Sequence, residues 1–582
     1  MSERPPGPEQ LRLREHQIFL ILTIVIGVVA GLAAVLFSLA IEQTSRRLFG
    51  LAPSPWRLLA VPPLTSILTG WMLMRLFPDV RGSGVPQTEA AYHLAGGVIP
   101  PHVPLGKFLT GVLCIGGGHS MGREGPSVQI GAGLASLVGQ WLRLSPRRVR
   151  DLVPVGAAGA LAAAFNTPVA AVLFALEEII GDLNAALLGS TVLASVTSVV
   201  VERAILGNEP LFHVPAYHLV HPAELLAYAA LGVVGGLVSL AFCKGLLALR
   251  ALFLRLPAWS KVMQPAAGGL VIGLILLLSP AIMGVGYDYV DRALNGDLLL
   301  RSMVLLGALK LVATLVSYAS GNAGGIFGPS LYIGAMAGGA LGIIVHRVAP
   351  FPTAVPGAYA LVGMGTLFAG IIRAPMTSVF MIFEITQDYQ ILVPLMVANM
   401  LSFLISSRYQ ASPIYHALLH QDAVHLPQPS ARGALAAQTA RSVMWTAVPM
   451  IPADTSIERA VHNVRDEIAQ AYLVGSGDRP AGIVSHQRLD EAIREGNGGA
   501  PVASIADPLS VHAHADHPID VVLERFAESG GILPVVSRAD VRHVEGLITM
   551  DSLMRSIERR SAKQASAPTP KPDASDRSLT PR

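Results

Sequence analysis

The chain has 582 residues, of which only 14% are charged, and its formal net charge is +3. So small a net charge gives no electrostatic basis for binding nucleic acid. A mean hydropathy of +0.52, together with 57 glycines, excludes an ordinary soluble protein of this length. It predicts an all-α polytopic membrane domain with a smaller polar portion.

The chain begins with a polar segment, residues 1–17, which is followed by long apolar runs. The first run is long enough to span a bilayer, and because more such runs follow, it does not read as a signal peptide. Spanning helices are predicted for the uncharged runs Ile18–Ile41, Leu58–Met74, Ala185–Val201 and Leu225–Cys243.

The segment from Val80 to Arg150 differs from simple spans, because apolar pieces of about ten residues, too short to cross a bilayer, alternate with glycine and proline. Irregular backbone at membrane depth is tolerated where it lines a polar cavity, so these breaks predict a site. Ser83 lies in one break and offers a hydroxyl to an anion, or alternatively only caps a helix. Lys107 either biases the local potential toward anions or extends to the headgroups.

The sequence Gly122-Arg-Glu-Gly-Pro-Ser places an arginine and a glutamate inside apolar sequence. Pro126 suits the first turn of a helix, so Glu124 is predicted just ahead of a helix N-terminus, where N–H groups and the helix dipole favour an anion. A carboxylate in this position can itself be that anion. The alternative is a structural glutamate that caps its own helix.

The same pattern returns 203 residues later, from Gly122 to Gly325, as Gly325-Ile-Phe-Gly-Pro-Ser. Phe327 occupies the place that Glu124 holds in the first copy. Internal duplication with glycine- and proline-broken apolar segments indicates a transporter whose binding site lies where the repeats meet. The chain is therefore predicted to contain two related halves.

A second repeated feature pairs Glu177 with Glu384, each nine residues after a proline. Glu178 has no such counterpart, because Ile385 stands in its place. An unrepeated carboxylate at the end of an apolar helix is the better candidate for a specialised role, although a polar helix end at the water interface would explain it equally well.

Three stretches and one tyrosine resemble, in order and spacing, the signatures of the CLC chloride channel and transporter family, over about Ile18 to Tyr415. They are Gly82-Ser-Gly-Val-Pro86, Gly122-Arg-Glu-Gly-Pro126, Gly325-Ile-Phe-Gly-Pro329 and, near the end of the apolar region, Tyr415. Two details, Asn322-Ala323 and Gly328 in place of the more usual alanine, depart from the family's pattern. Without the family, Tyr415 would read as a tyrosine at the membrane interface.

The resemblance implies inverted repeats with broken, re-entrant helices in a transport domain at residues 18–420. It also implies an anion path with hydroxyls from Ser83 and Tyr415 and amides from Gly125, Ile326 and Phe327. Two glutamates would carry protons.

In the family, the position of Glu124 is the external gating and proton glutamate, and that of Glu178 is the internal proton glutamate that transporters carry and channels commonly lack. Serine at position 83 resembles chloride-selective members. The resemblance thus favours a proton-coupled chloride antiporter, a homodimer with one pore per subunit, whose partners are chloride, protons and the lipid bilayer.

Two alternatives remain at this point, and voltage dependence is left open. A passive chloride channel of the same family is separated from the antiporter only through Glu178. A CBS-bearing divalent-cation transporter or membrane sensor would need clustered acidic or carbonyl ligands in the membrane, whereas these breaks point helix N-termini at the site. No enzymatic activity, metal or required cofactor is expected.

After Gln421 the composition becomes polar, and it predicts a linker at 421–440, a soluble module at 441–560 and a disordered tail at 561–582. The module resembles a tandem CBS pair, an α/β module that is a common cytosolic appendage of this family. By the same resemblance Thr549 and Asp551 fit an adenine nucleotide site, whereas the first repeat has Gln487 in place of the carboxylate. A CBS pair that binds no nucleotide and has a purely structural role is an equally good interpretation. A cytosolic module places both termini in the cytoplasm and the protein in the inner membrane.

Overall fold

The computed structural model describes residues 8–50, 52–181, 185–208, 211–212, 214–215, 217, 220–426, 439–446, 448–464, 471–476, 479–509, 511–529 and 531–553. The predicted tail, 561–582, lies outside the described residues, as do residues 1–7 of the predicted N-terminal segment and 427–438 of the predicted linker. The chain divides into two compact units, Met1–Leu426 and Pro427–Arg582.

The elements that the structure describes in the first unit are helices. They are α1 Pro8–Phe49, α2 Pro55–Arg75, α3 Val85–Leu94, α4 His102–Gly116, α5 Glu124–Trp141, α6 Pro146–Phe165, α7 Pro168–Phe174 with a π-helical continuation Ala175–Ile180, α8 Ala185–Leu206, α9 Glu224–Leu254, α10 Gln264–Leu278, α11 Tyr287–Leu294, α12 Leu300–Ala319, α13 Phe327–Val348, α14 Pro356–Ile371, α15 Pro375–Thr386, α16 Leu392–Tyr409 and α17 Ile414–Gln421. Short 3₁₀ turns lie at Pro78–Val80, Ala258–Val262, Pro280–Ile282 and Tyr389–Ile391. Within the described residues, eight helices are long and apolar enough to cross a membrane.

Two helix lengths differ from those predicted. Helix α1 begins at Pro8, so the polar residues before Ile18 extend the first helix. The pieces between Val80 and Arg150 were predicted at about ten residues, but α3, α4, α5 and α6 have 10, 15, 18 and 20. The prolines mostly stand in the first turn of these helices, where the missing N–H costs nothing, and therefore begin helices more often than they interrupt them.

The two predicted halves are visible as matched interruptions. Helices α6 and α7 are separated at Asn166, and α14 and α15 at Arg373, 207 residues later; both residues have a positive φ, 57° and 72°. The helix that follows begins with a proline in each half. A left-handed residue ahead of a proline ends one helix and starts the next.

The repeated glutamates join the two halves reciprocally. Glu177 accepts hydrogen bonds from the N–H groups of Met376 (3.1 Å) and Thr377 (2.8 Å) at the start of α15. Glu384 accepts hydrogen bonds from the N–H groups of Val169 (2.9 Å) and Ala170 (2.8 Å) at the start of α7. Because the end of each segment meets the beginning of the other, the segments run antiparallel, as inverted repeats require.

The described residues of the second unit form two similar three-stranded sheets. Its helices are α18 Ala440–Val443, α19 Ile457–Asn463, α20 His486–Arg494 and α21 Ile519–Glu528, and its strands are β1 Met450–Ile451, β2 Ala471–Ser476, β3 Arg479–Ser485, β4 Ala513–His514, β5 Ile532–Val536 and β6 Val544–Thr549, with a 3₁₀ turn at Val502–Ser504. In each sheet the first strand pairs parallel with the second, and the second antiparallel with the third. The predicted pair of related α/β modules is confirmed.

Candidate anion pathway

The two copies of the glycine-proline pattern meet in the fold. Gly122 and Gly325 exchange backbone hydrogen bonds, each of 2.8 Å, and the N–H of Gly324 donates to the carbonyl of Gly82 at 3.2 Å. This approach leaves little room for a side chain, since a Cβ on Gly122 would lie 2.9 Å from the backbone nitrogen of Gly328 and one on Gly325 would lie 3.1 Å from the carbonyl oxygen of Gly122. Three interruptions that are far apart in sequence therefore form one contiguous region.

Glu124 lies at the centre of this region. It is the first residue of α5 and is fully buried, and its Oε2 accepts a hydrogen bond from the N–H of Gly328 at 3.2 Å. Gly328 belongs to the first turn of α13, so the carboxylate occupies the N-terminal end of a helix in the other half. The alternative in which Glu124 caps its own helix is therefore not what the structure shows.

Gly328 makes room for this carboxylate. A Cβ at that position would lie 3.1 Å from each oxygen of Glu124 and 2.7 Å from Cγ1 of Val285. The departure from the more usual alanine thus opens space at the site without removing any backbone donor.

The sequence reasoning missed a fourth interruption, Gly284-Val285-Gly286, which precedes α11 as Gly82-Ser83-Gly84 precedes α3. Tyr287, the first residue of α11, donates a hydrogen bond from its hydroxyl to Oε1 of Glu124. The break escaped notice because Asp288 stands where the first half has Pro86.

A repeated lysine could have revealed this break. Lys107 and Lys310 are 203 residues apart, the same spacing as the glycine-proline pattern. Lys107 donates to the carbonyls of Val80 (2.5 Å) and Gly82 (2.9 Å), and Lys310 to those of Ile282 (3.0 Å) and Gly284 (2.7 Å). Both lysines are fully buried, so Lys107 fixes the backbone ahead of Ser83 and does not extend to the headgroups.

Two predicted hydroxyls, those of Ser83 and Tyr415, lie near one another, and Ser83 lies beside Gly125. Ser83 and Tyr415 are fully buried, and within the described ranges neither hydroxyl has a partner of good hydrogen-bond geometry, although the two groups neighbour one another. A Cβ on Gly125 would lie 2.6 Å from Ser83 Oγ. Buried polar atoms normally have a partner, so these two hydroxyls are available to a ligand.

Ile326 and Phe327 complete the region. Both are buried at the start of α13, where N–H groups have no acceptor within the helix. The ring of Phe327 packs against Phe165 and Phe368 at centroid distances of 5.0 and 4.3 Å. The structure thus places the five residues predicted for the anion path in the region around Glu124; they are Ser83, Gly125, Ile326, Phe327 and Tyr415.

Glu178 lies away from these contacts, in the π-helical continuation of α7, and is buried. The equivalent segment of the second half, α15, is α-helical throughout. Single π turns inside α-helices are frequent at functional sites. Tyr415 interacts electrostatically with both predicted proton carriers, Glu178 and Glu124.

A second carboxylate, paired with a partly exposed histidine, accompanies Glu178, and the sequence reasoning also missed it. The charged groups that act on Glu178 include Glu89 of α3, and Oε1 of Glu89 lies 2.6 Å from Nε2 of His416 on α17. Glu89 is 3% exposed. Its place in the sequence gave no signal, because a glutamate in the middle of a short helix is ordinary.

Comparison with known proteins decides the family. A profile described as voltage gated chloride channel matches residues 65–407. The chain belongs to this family. Its members are transporters and channels, so the divalent-cation transporter and the sensor are no longer candidates.

Two further similarities locate the CLC family fold in the chain. The H⁺/Cl⁻ exchange transporter ClcA of Vibrio campbellii is 30% identical over 416 residues, which are 69% of this chain and 89% of the relative. The crystal structure of a slow cyanobacterial Cl⁻/H⁺ antiporter has a TM-score of 0.64 at 28% identity and covers 69% of this chain and 97% of its own. The chain is therefore a multi-pass integral membrane protein.

The second unit is also matched. A CBS domain profile covers residues 440–495, and a eukaryotic CLC transporter with a TM-score of 0.60 at 19% identity covers 93% of this chain and 98% of its own. The predicted nucleotide residues lie at the end of β6, whose last residue is Thr549. Thr549 Oγ1 accepts a hydrogen bond from the N–H of Ser552 (3.3 Å), and Asp551 follows two residues later. A hydroxyl that accepts this bond still has a proton to donate.

Proposed function

We propose that this protein exchanges chloride for protons across a membrane. The observation that carries the proposal is the position of Glu124, whose carboxylate lies at the N-terminus of α13, where an anion would bind. Relatives named as exchange transporters support it.

Chloride binds to partial charges in this mechanism. The hydroxyls of Ser83 and Tyr415 and the amides of Gly125, Ile326 and Phe327 would surround the ion without a fixed positive charge. Such a site attracts an anion but also releases it, which conduction requires.

Glu124 couples the two substrates because its charge decides which anion occupies the site. Ionised, it holds the end of α13 itself. Protonated, it loses its attraction for the helix dipole and moves away, and chloride enters. The proton then passes toward Glu178, which we assign as the internal proton glutamate.

The test is a flux assay in liposomes that contain the purified protein. A chloride gradient is expected to drive protons uphill, and Glu178→Ala is expected to abolish proton movement while chloride flux continues. Ile385→Ala, the equivalent position in the second half, is the matched control and should leave coupling intact. Chloride flux with no uphill proton movement in the unmodified protein would instead indicate the passive channel.

We further propose that the protein is a homodimer in the inner membrane, with one pore per subunit and both termini in the cytoplasm. Apolar side chains exposed on the spans, among them Ile21, Leu36 and Val200, suit contact with lipid or with a second subunit. Light scattering of the protein in detergent should give twice the chain mass, and proteases should cut the second unit only in inside-out vesicles. A monomeric mass, or cleavage in right-side-out vesicles, would contradict this arrangement.

We also propose an adenine nucleotide site at Thr549 and Asp551. Calorimetry with ATP and the full-length protein should detect one site per chain that Asp551→Asn removes. Absence of heat would make the CBS pair purely structural.

A further inference from the structure

Tyr287 contacts a different oxygen of the central carboxylate from the one that Gly328 contacts. Its hydroxyl donates to Oε1 of Glu124, while the N–H of Gly328 donates to Oε2. The two oxygens are thus held by one side chain and one backbone group, both from the second half of the chain.

The position of Tyr287 is fixed by the break that precedes it. Lys310 binds the carbonyl of Gly284 at 2.7 Å, and Gly286 has a φ of 82°. A Cβ on Gly286 would lie 2.9 Å from the ring of Tyr332. The backbone entering α11 therefore has little freedom, and neither has the residue that begins the helix.

The ring of Tyr287 is also held. It packs edge-on against Phe212 at 5.1 Å, and the guanidinium carbon of Arg123 lies 5.8 Å from its centre. A phenol restrained at both backbone and ring can donate a well-aligned hydrogen bond at little entropic cost.

The two halves supply hydroxyls differently. Ser83 stands in the first-half break, but the corresponding residue of the second half is Val285, which has none. The hydroxyl of the second-half break comes from Tyr287, two positions later, and it meets Glu124.

We propose that Tyr287 is a positioning residue for Glu124, a proposal that rests on the proposed exchange of chloride for protons. Its phenol O–H donates a hydrogen bond that holds the ionised carboxylate at the N-terminus of α13. This hydrogen bond breaks when the carboxylate takes up a proton. The phenol keeps its own proton throughout. A donor to the charged form favours that form, so loss of the hydroxyl should let Glu124 leave the site at higher pH.

Other groups act on Glu124 and stay unchanged in the test. Lys310 on α12 and Tyr415 on α17 interact with it electrostatically, and Arg123 precedes it. Glu202 on α8 interacts electrostatically with Arg123, which is the neighbour of Glu124 in the chain.

The experiment compares Tyr287→Phe with Tyr289→Phe. Tyr289 lies on the same helix and contacts Arg292 at 5.3 Å, so its variant controls for loss of a hydroxyl from α11. The infrared carboxyl band of Glu124, assigned by its absence in Glu124→Gln, is titrated in each protein. In Tyr287→Phe its titration should move to higher pH by about one unit or more. In Tyr289→Phe it should not move.

The chloride flux in liposomes is measured on the same proteins, and its pH profile should move with the band. An unshifted band in Tyr287→Phe, or an equal shift in both variants, would overturn the assignment. The infrared band is measured without any transport, so it tests the role of Tyr287 independently of the proposed function. Absence of chloride flux would reject the proposed function, and the infrared titration would still decide the role of Tyr287.

Discussion

At the scale of single residues, the site is organised around one carboxylate that belongs to the first half and is bound by the second. Glu124 is fully buried, yet it touches a backbone N–H and a phenol, two donors that suit a negative charge. An ionised side chain is tolerated inside a membrane protein only with partners of this kind.

The first prediction at this scale concerns Glu124→Gln. Glutamine keeps the shape of the side chain but cannot ionise, so the competition with chloride should no longer depend on protons. The unmodified protein should carry chloride faster as the pH falls, by up to about tenfold per unit if one group titrates. The variant should carry it at a rate independent of pH. Chloride flux in liposomes over a series of pH values measures both, and a persistent pH dependence in the variant would place the gate elsewhere.

Most of the site residues could be predicted from the sequence, for physical reasons. Glu124 and Ser83 stand beside glycine and proline in apolar sequence, where a polar residue is costly and conspicuous. Tyr287 could not be predicted this way, since a tyrosine in a half-apolar stretch without a following proline resembles ordinary packing. Its role depends on a contact across 163 residues of chain.

At the scale of elements, the paired segments after Pro168 and Pro375 contain both repeated and unrepeated glutamates, and the two kinds have different surroundings. The repeated glutamates, Glu177 and Glu384, bind helix N-termini and thereby join the halves. The unrepeated Glu178 coincides with the π-helical turn.

The prediction at this scale is that Glu177→Ala and Glu384→Ala each destabilise the protein. Each change leaves two N–H groups at a helix start without their acceptor, at a cost of about 1–2 kcal/mol. Thermal unfolding of the detergent-solubilised protein measures the loss. Glutamine at either position keeps an acceptor oxygen and should restore much of the stability. Unchanged stability of both alanine variants would show that the reciprocal contacts do not hold the halves together.

The helices themselves were predictable from uncharged runs, but their interruptions were less so. Proline and glycine mark where helices start, which locates α5, α7, α13 and α15 closely. The π turn depends on packing between the halves, and local composition carries no record of that packing. The break before α11 does contain two glycines, but no proline follows them to mark the start of the helix.

At the scale of the whole molecule, the chain consists of a transport unit and a CBS unit. Both the exchange transporter from Vibrio campbellii and the cyanobacterial antiporter match 69% of this chain and most of their own length. The features that bear on chloride and protons all lie in the first unit, before Leu426.

Coupling is the property of the whole molecule that separates the exchanger from the channel. A channel selective for chloride has its zero-current voltage set by chloride alone. An exchanger moves chloride and protons in fixed proportion, so its zero-current voltage must also depend on the proton gradient.

The most direct measurement is therefore the zero-current voltage across a planar bilayer that contains the full-length protein, with equal chloride on both sides and a pH difference of one unit. The proton equilibrium potential for this pH difference is about 59 mV, and proton-coupled exchange predicts a zero-current voltage that is a fraction of it. In Glu178→Ala the zero-current voltage should return to zero. A voltage of zero in the unmodified protein, with chloride current present, would contradict the account.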